Sequence, residues 1–304
     1  MVRRRNMRIS IGGKIFNVFN VALMMLLCVV FLFPYLNQLA ISLNDGRDTA
    51  FGGITVYPRA FTLQNYKTVF SNDSFNTALM ISVLRVIIGT ITGVVLTTAT
   101  AYALTKRDLP ARTFFITLLL IPTFIDGGLI PTFILYRYLD LINHFWVYII
   151  PGLFSFYNMI IIRTYLNTIP ASLEESAVLD GANSLQILTR IYLPLAKPVI
   201  ATVSLWLAVA HWNDWVTSLM FVQSKDLHTL QFVLYRVLKE SELIMQMAVE
   251  QSMQGGTIDQ NAPSVTPEAV KAATLIVSTL PILIVYPFLQ KYFVKGVMLG
   301  AIKE

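Results

Sequence analysis

The chain has 304 residues, of which 55% are hydrophobic and 13% charged, and its mean hydropathy is +0.63. A water-soluble domain carries roughly a quarter charged residues, so these proportions exclude a soluble globule and define a membrane protein. The net charge of +6 comes without a Lys/Arg-rich stretch interleaved with aromatics beyond the first few residues. Nucleic acid is thereby excluded as a partner, and the positive charge is left to orient the chain in a bilayer.

Residues 1–14 form a basic tail with Arg3, Arg4, Arg5, Arg8 and Lys14, and 15–44 then carry no charge. About twenty apolar residues cross the hydrocarbon, so this is a first span. A cleaved secretory leader has an apolar region of roughly 7–15 residues ending at a small-residue site, which does not fit. The span is expected to be retained.

Further apolar segments lie at 77–105, 113–136, 144–166, 198–223 and 272–290, which gives an all-α membrane protein of six transmembrane helices. Lys106, Arg107 and Arg112 sit between spans two and three, and Lys291, Lys295 and Lys303 follow span six. These charges place both termini and the 106–112 connection in the cytoplasm, and parity puts the 167–197 loop there too. The connections at 45–75, 137–143 and 224–271 then face outward. The single cysteine, Cys28, excludes an intrachain disulfide and a cysteine metal cluster, and His144, His211 and His228 are too scattered to suggest a metal site. Prolines 122, 131, 151, 198, 281 and 287 lie in or beside spans, as kinks around a pathway or as ordinary membrane-helix usage.

The 167–197 loop carries structure of its own. Ser172 followed by Glu175 is a capping-box pattern behind Pro170, predicting a helix from about Leu173, and Asp180-Gly181 supplies its stop. A second helix is expected from Ser184 with Leu185, Leu188 and Ile191 on one face, after which Leu193-Pro194 turns the chain back to the membrane. Two short capped helices between apolar spans imply something outside the membrane that grips them.

Glu175, Ala177, Asp180, Gly181, Ala182, Ile191, Leu193 and Pro194 fall at the spacing of the EAA loop of ABC importer permeases, with Ser176 where that family has Ala. The chain therefore resembles a type I ABC importer permease, a MetI-like fold in which this loop is the coupling helix seated on the ATPase. The resemblance covers nearly the whole chain and is close to carbohydrate permeases of the maltose type. Phe61-Thr-Leu-Gln-Asn-Tyr66 resembles the segment after span one, Ala101-Tyr-Ala-Leu104 the end of span two, and Trp212-Asn-Asp-Trp215 the polar-aromatic patch of span five. Gly127-Gly-Leu-Ile-Pro-Thr132 and the tail from Tyr286 to Gly300 resemble the polysaccharide-fragment branch, which includes permeases for alginate and pectin-derived oligosaccharides. The chain ends in Lys303-Glu304 where the family often ends in Lys-Gly, so a tail contact with the ATPases is less secure.

The resemblance implies a transmembrane domain at 15–290 between cytoplasmic tails at 1–14 and 291–304, in a bacterial plasma membrane. It implies a heterodimer with a second, homologous permease, an ATPase dimer that binds ATP and Mg, an extracellular substrate-binding protein and an oligosaccharide substrate. The long outward loop at 224–271 is the expected contact for the binding protein. No cofactor is expected in this chain and no catalysis, since it has no G-x-x-x-x-G-K-[ST], G-x-S-x-G or H-E-x-x-H pattern.

Arg85, Asp126, Trp212, Asn213 and Asp214 are the candidates for the translocation path, because a charge at the bilayer centre costs about 2.5–3.5 kcal/mol and normally faces a cavity or a partner. Gly127-Gly128 after Asp126 predicts a broken helix. Arg85 lines the path or snorkels to the headgroups, and Arg163 is expected to snorkel. Tryptophan faces beside Asn213 and Asp214 suit a sugar; in the alternative, Trp215 is an interfacial anchor and Asp214 pairs with an arginine of a neighbouring span. A competing function, an ion-gradient-driven secondary carrier, ordinarily requires ten or more spans with internal repeats, and six spans without a visible repeat fit it badly.

Overall fold

The computed structural model describes residues 11–125, 127–253 and 266–300. Expectations that rest on Arg3, Arg4, Arg5, Arg8, Asp126, residues 254–265, Lys303 and Glu304 lie outside these. Fourteen α-helices succeed one another among the described residues: α1 Ile11–Ser42, α2 Gly46–Ala50, α3 Gln64–Phe70, α4 Asp73–Ala103, α5 Arg112–Phe124, α6 Leu129–Tyr138, α7 Phe156–Leu166, α8 Ala171–Leu179, α9 Ser184–Ile187, α10 Leu193–Leu195, α11 Lys197–Asn213, α12 Val216–Phe221, α13 Leu230–Met253 and α14 Pro267–Gly300. The described residues form two units, 11–71 with those of 240–277, and 72–239 with those from 278 onward.

In the first unit, the apolar face of α1 is exposed from Ile11 through Leu36, as suits a helix surrounded by lipid or by other apolar helices. The chain that follows is stapled by polar groups. Asn65, fully buried, donates to the carbonyls of Ser42 and Asn44 at 3.0 and 2.9 Å. Asn44 in turn accepts from the Ala60 N–H at 2.7 Å, donates to Asp48 at 2.8 Å and bridges Phe61. Tyr66 and Ser42 share a hydroxyl hydrogen bond of 2.7 Å. The Phe61–Tyr66 motif thus has a local physical role, which is to tie the first outward connection to the end of α1.

The second unit is built on α4, against which α7 and α11 pack. Ala101, Tyr102, Met159, Ile162, Val199 and Val203 lie in its core. Helix α4 approaches α11 so closely at Gly89 that an added Cβ would lie 2.4 Å from the His211 ring. Any larger residue there would force the His211 ring to shift, and a small residue is the usual device for close helix contact in membranes.

Three described helices are long and apolar enough to cross a membrane by themselves: Ile11–Ser42, Asp73–Ala103 and Pro267–Val285. Three bent pairs pass the same test only when each is taken together, Arg112–Phe124 with Leu129–Tyr138, Phe145–Gly152 with Phe156–Leu166, and Ser184–Leu195, which belongs to the 167–197 loop, with Lys197–Asn213. The break predicted at Gly127-Gly128 is found between α5 and α6. The fourth span opens as two 3-10 turns at Phe145–Tyr148 and Ile150–Gly152, not as α-helix, and α7 begins only behind Ser155, whose Oγ accepts the Asn158 N–H. Pro151 has no N–H for an α-helical ladder. The expected helix at 198–223 ends at Asn213, and α14 runs from Pro267 to Gly300, past both expected limits of 272–290.

Candidate coupling loop and buried polar cluster

Helix α8 starts two residues earlier than its sequence predicts, with Pro170 at the N-cap and no side-chain cap. Ser172 is then already inside the first turn, so the expected box with Glu175 does not form. Glu175 is exposed. Its neighbour Glu174 faces inward instead, ion-paired to Lys106 and accepting the Tyr192 hydroxyl hydrogen at 2.8 Å. The Lys106 ammonium lies 4.1 Å from the centre of the Tyr102 ring and 5.5 Å from that of Tyr192, and the two rings meet edge to face at 5.1 Å. Burial pulls the Lys106 pKa down, but hydrogen bonding and attraction to Glu174 and Tyr102 win and hold it above the ordinary lysine value. One carboxylate thereby ties α8 to the 104–111 turn and to the start of the fifth span. The sequence signal for it was Lys106, on the same expected side of the membrane.

The stop predicted at Asp180-Gly181 is present. Gly181 has φ +81°, its N–H bonds the Val178 carbonyl at 3.0 Å, and the Ala182 N–H reaches the Ala177 carbonyl at 2.9 Å. These two bonds make a Schellman motif. Helix α9 is capped by a box that the sequence reading missed: Asn183 accepts from the Gln186 N–H, and Gln186 from the Asn183 N–H, both at 2.9 Å. Its N-x-x-Q spacing was the available signal.

The face expected on the second helix is also revised. Ile187 and Tyr192 are buried, Leu188 and Ile191 pack partly against the core, and Leu185 points outward. Ala177 and Ala182 pack against the same core, Leu193 is half-buried, and Asp180, Gly181 and Pro194 are exposed. Beside polar Ser172, Glu175 and Ser176, α8 and α9 expose large apolar side chains: Leu173, Val178, Leu179 at 88% exposure, and Leu185 at 68%. Beside them a cleft of about 700 Å³ opens between α8 and the turn at Lys106, Arg107 and Asp108.

A second polar cluster lies further along α4. Arg85, only 4% exposed, forms an ion pair with the Asp214 carboxylate, donates to the Asp214 carbonyl at 3.0 Å and stands over the Tyr148 ring at 4.7 Å. Arg85 therefore does not snorkel. Asp214 also accepts the Thr217 N–H at 3.0 Å and its hydroxyl at 2.5 Å, which starts α12. These bonds pull residue 214 into an extended conformation and stop α11, the physical reason why the fifth span is broken. Tyr148 continues the network, bonded to the Ser218 hydroxyl at 2.7 Å and donating to the Leu227 carbonyl at 2.8 Å.

The tryptophans part company. Trp212 is buried, its Nε1 donating to the Ser278 carbonyl at 3.0 Å, so both its ring and its N–H are used inside the fold. Trp215 stacks on Tyr235 with centroids 4.3 Å apart, and Asn213 is exposed. The structure therefore brings Arg85 and Asp214 together, which is the alternative anticipated for Asp214, and gives Trp212 a packing role. Arg163, expected to snorkel, donates to the Leu104 carbonyl at 3.0 Å, and Arg112 donates to the same oxygen at 2.9 Å.

Broken helices around a buried polar cluster, with a capped helical loop packed on the same core and exposing apolar side chains, suit the membrane subunit of a transport system. The chain belongs to the family described as binding-protein-dependent transport system inner membrane component, whose model matches residues 85–299. It is 33% identical over 292 residues to the polygalacturonan/rhamnogalacturonan transport system permease protein YtcP of Bacillus subtilis, covering 96% of this chain and 99% of that one. It is 35% identical over 293 residues to protein LplC of the same organism, with 96% of each covered. Among solved structures it is similar to a bacterial ABC transporter involved in the import of the acidic polysaccharide alginate, with a TM-score of 0.82 and 28% identity over 93% of this chain and 98% of that one. The type I importer fold read from the motifs is thereby borne out, and family membership favours an importer permease over an ion-gradient carrier.

Proposed function

We propose that the chain is half of the translocation path of an ABC importer for oligosaccharides cut from acidic, uronate-containing polysaccharides. The observation that carries the coupling part is the group of large apolar side chains that α8 and α9 leave exposed on a loop held from behind by Glu174. Four exposed large apolar side chains on one short loop, Leu179 at 88% among them, suit a surface that another protein covers. On this reading an ATPase dimer, which binds ATP and Mg, seats Leu173, Val178, Leu179 and Leu185 in its groove. Glu175 and Asp180 add polar contacts, and Gly181 and Ala182 allow close approach. A second, homologous permease completes the path, and an extracellular binding protein delivers the sugar to the 224–271 side. Residues 1–14 and 291–304 are cytoplasmic tails flanking the 15–290 transmembrane domain.

The acidic substrate class rests on the relatives' names and not on Arg85, whose charge Asp214 already matches. Of the path candidates among the described residues, exposed Asn213 at the break of the fifth span is the one left with a polar side chain to offer a sugar. The test is ATP hydrolysis by the reconstituted complex with its binding protein across neutral and uronic-acid oligosaccharides. Stimulation by the uronates is expected, and stimulation by neutral sugars alone would overturn the substrate class.

A further inference from the structure

Three helix ends converge where Leu104 caps α4, Arg112 opens α5 and Arg163 stands in the last turns of α7. Both guanidiniums donate through Nε to the single Leu104 carbonyl, at 2.9 and 3.0 Å, which gathers two positive charges about one oxygen. Arg59–Asp48, Arg85–Asp214 and Lys106–Glu174 are ion pairs, whereas neither Arg112 nor Arg163 is paired with a carboxylate among the described residues. The two Nη groups of each arginine make no hydrogen bond to a described residue. A helix C-terminal carbonyl carries only about half a negative charge, so most of the pair's charge remains unmatched. Both side chains are half-buried, which keeps them from dispersing into solvent.

Directly along α5 the surface turns apolar and exposed, with Phe114 at 62%, Phe115 at 43% and Leu118 at 50%. Phe115 stands three residues beyond Arg112, on the same side of the helix. Positive charge followed within one turn by exposed rings has the polarity of a phospholipid. Arginine forks also match phosphate oxygens in pairs.

We propose that Arg112 and Arg163 bind the phosphate of an anionic phospholipid headgroup, with an acyl chain starting along Phe115. The site fixes the ends of α4, α5 and α7 to the bilayer surface on the side of the α8 loop, and it stands independently of the sugar the importer carries. Free phosphate shares the headgroup chemistry but has no use for the apolar half of the site.

Native mass spectrometry of the full-length, delipidated protein, titrated with phosphatidylglycerol, phosphatidylcholine or inorganic phosphate, tests this. Wild type should retain one phosphatidylglycerol about tenfold more tightly than phosphatidylcholine, and the R112Q/R163Q variant should lose that preference. Millimolar phosphate should not displace the lipid. Unchanged preference in the double variant would overturn the proposal, and displacement by phosphate would reassign the pair to a soluble anion and overturn the lipid. Should the double variant fail to fold, photoactivatable phosphatidylglycerol on wild type decides: labelling within 112–118 or 156–166 supports the site, and labelling confined to other segments refutes it.

Discussion

Replacing Asp214 by alanine removes the partner of a guanidinium that is 4% exposed and whose Nε already lacks a hydrogen bond. Arg85 is then left with the residue-214 carbonyl and the Tyr148 ring. Breaking a buried pair from one side costs about 3–5 kcal/mol, and because Asp214 is 26% exposed the lower figure applies here. Thermal unfolding of the detergent-solubilised protein should show it as a fall in Tm of about 6–12 °C, at about 2–4 °C per kcal/mol. Arg85→Met should cost a similar amount by leaving the Asp214 carboxylate half-buried and unpaired. The double variant should cost less than the sum of the two, with a coupling on the order of 2 kcal/mol. Additive effects, or single-variant losses below about 0.5 kcal/mol, would refute the view that this pair holds the break in the fifth span.

Glu174→Gln should cost about 1–2 kcal/mol and loosen α8, seen as faster hydrogen exchange of 171–179, whereas exposed Glu175→Gln should leave exchange unchanged. Gly89→Ala forces a Cβ to 2.4 Å from His211 and should lower stability by about 1–3 kcal/mol in the same thermal assay. Gly181→Ala meets nothing within 4 Å and should cost only about 1 kcal/mol, from the left-handed backbone. The Lys106 pKa lies above its unfolded value of 10.5, so the bridge contributes its full stability below pH 10.5 and loses it as pH rises through the folded pKa. Exchange of α8, corrected for the intrinsic rate, should be flat from pH 6 to pH 9 and rise only above pH 10.5; a rise near neutrality would contradict the bridge.

Apolar runs made the spans legible because burial in lipid needs only length and the absence of charge. The breaks were less legible, since the end of α11 depends on Arg85, 129 residues away, as well as on nearby Thr217, and no local pattern reports the distant partner. The Gly127-Gly128 break was visible because backbone freedom is a local property. In the loop, Gly181 was read correctly for the same reason, while the capping box expected of Ser172 and Glu175 does not form and the inward contacts are made by Glu174. That choice depends on where α8 starts, and a one-residue shift on a helix turns a side chain by about 100°. Trp212 and Trp215 look alike in the motif, yet the buried ring is fixed by Ser278 and the half-exposed one by Tyr235, neither near in sequence.

The docking of α8 on an ATPase is tested most directly by a thiol at its most exposed apolar position, Leu179→Cys in a Cys28→Ser background. A membrane-impermeant maleimide should label residue 179 only in permeabilised cells, and co-expressed ATPase should shield it or cross-link to it. Labelling of intact cells from outside, or labelling indifferent to the ATPase, would contradict the coupling role.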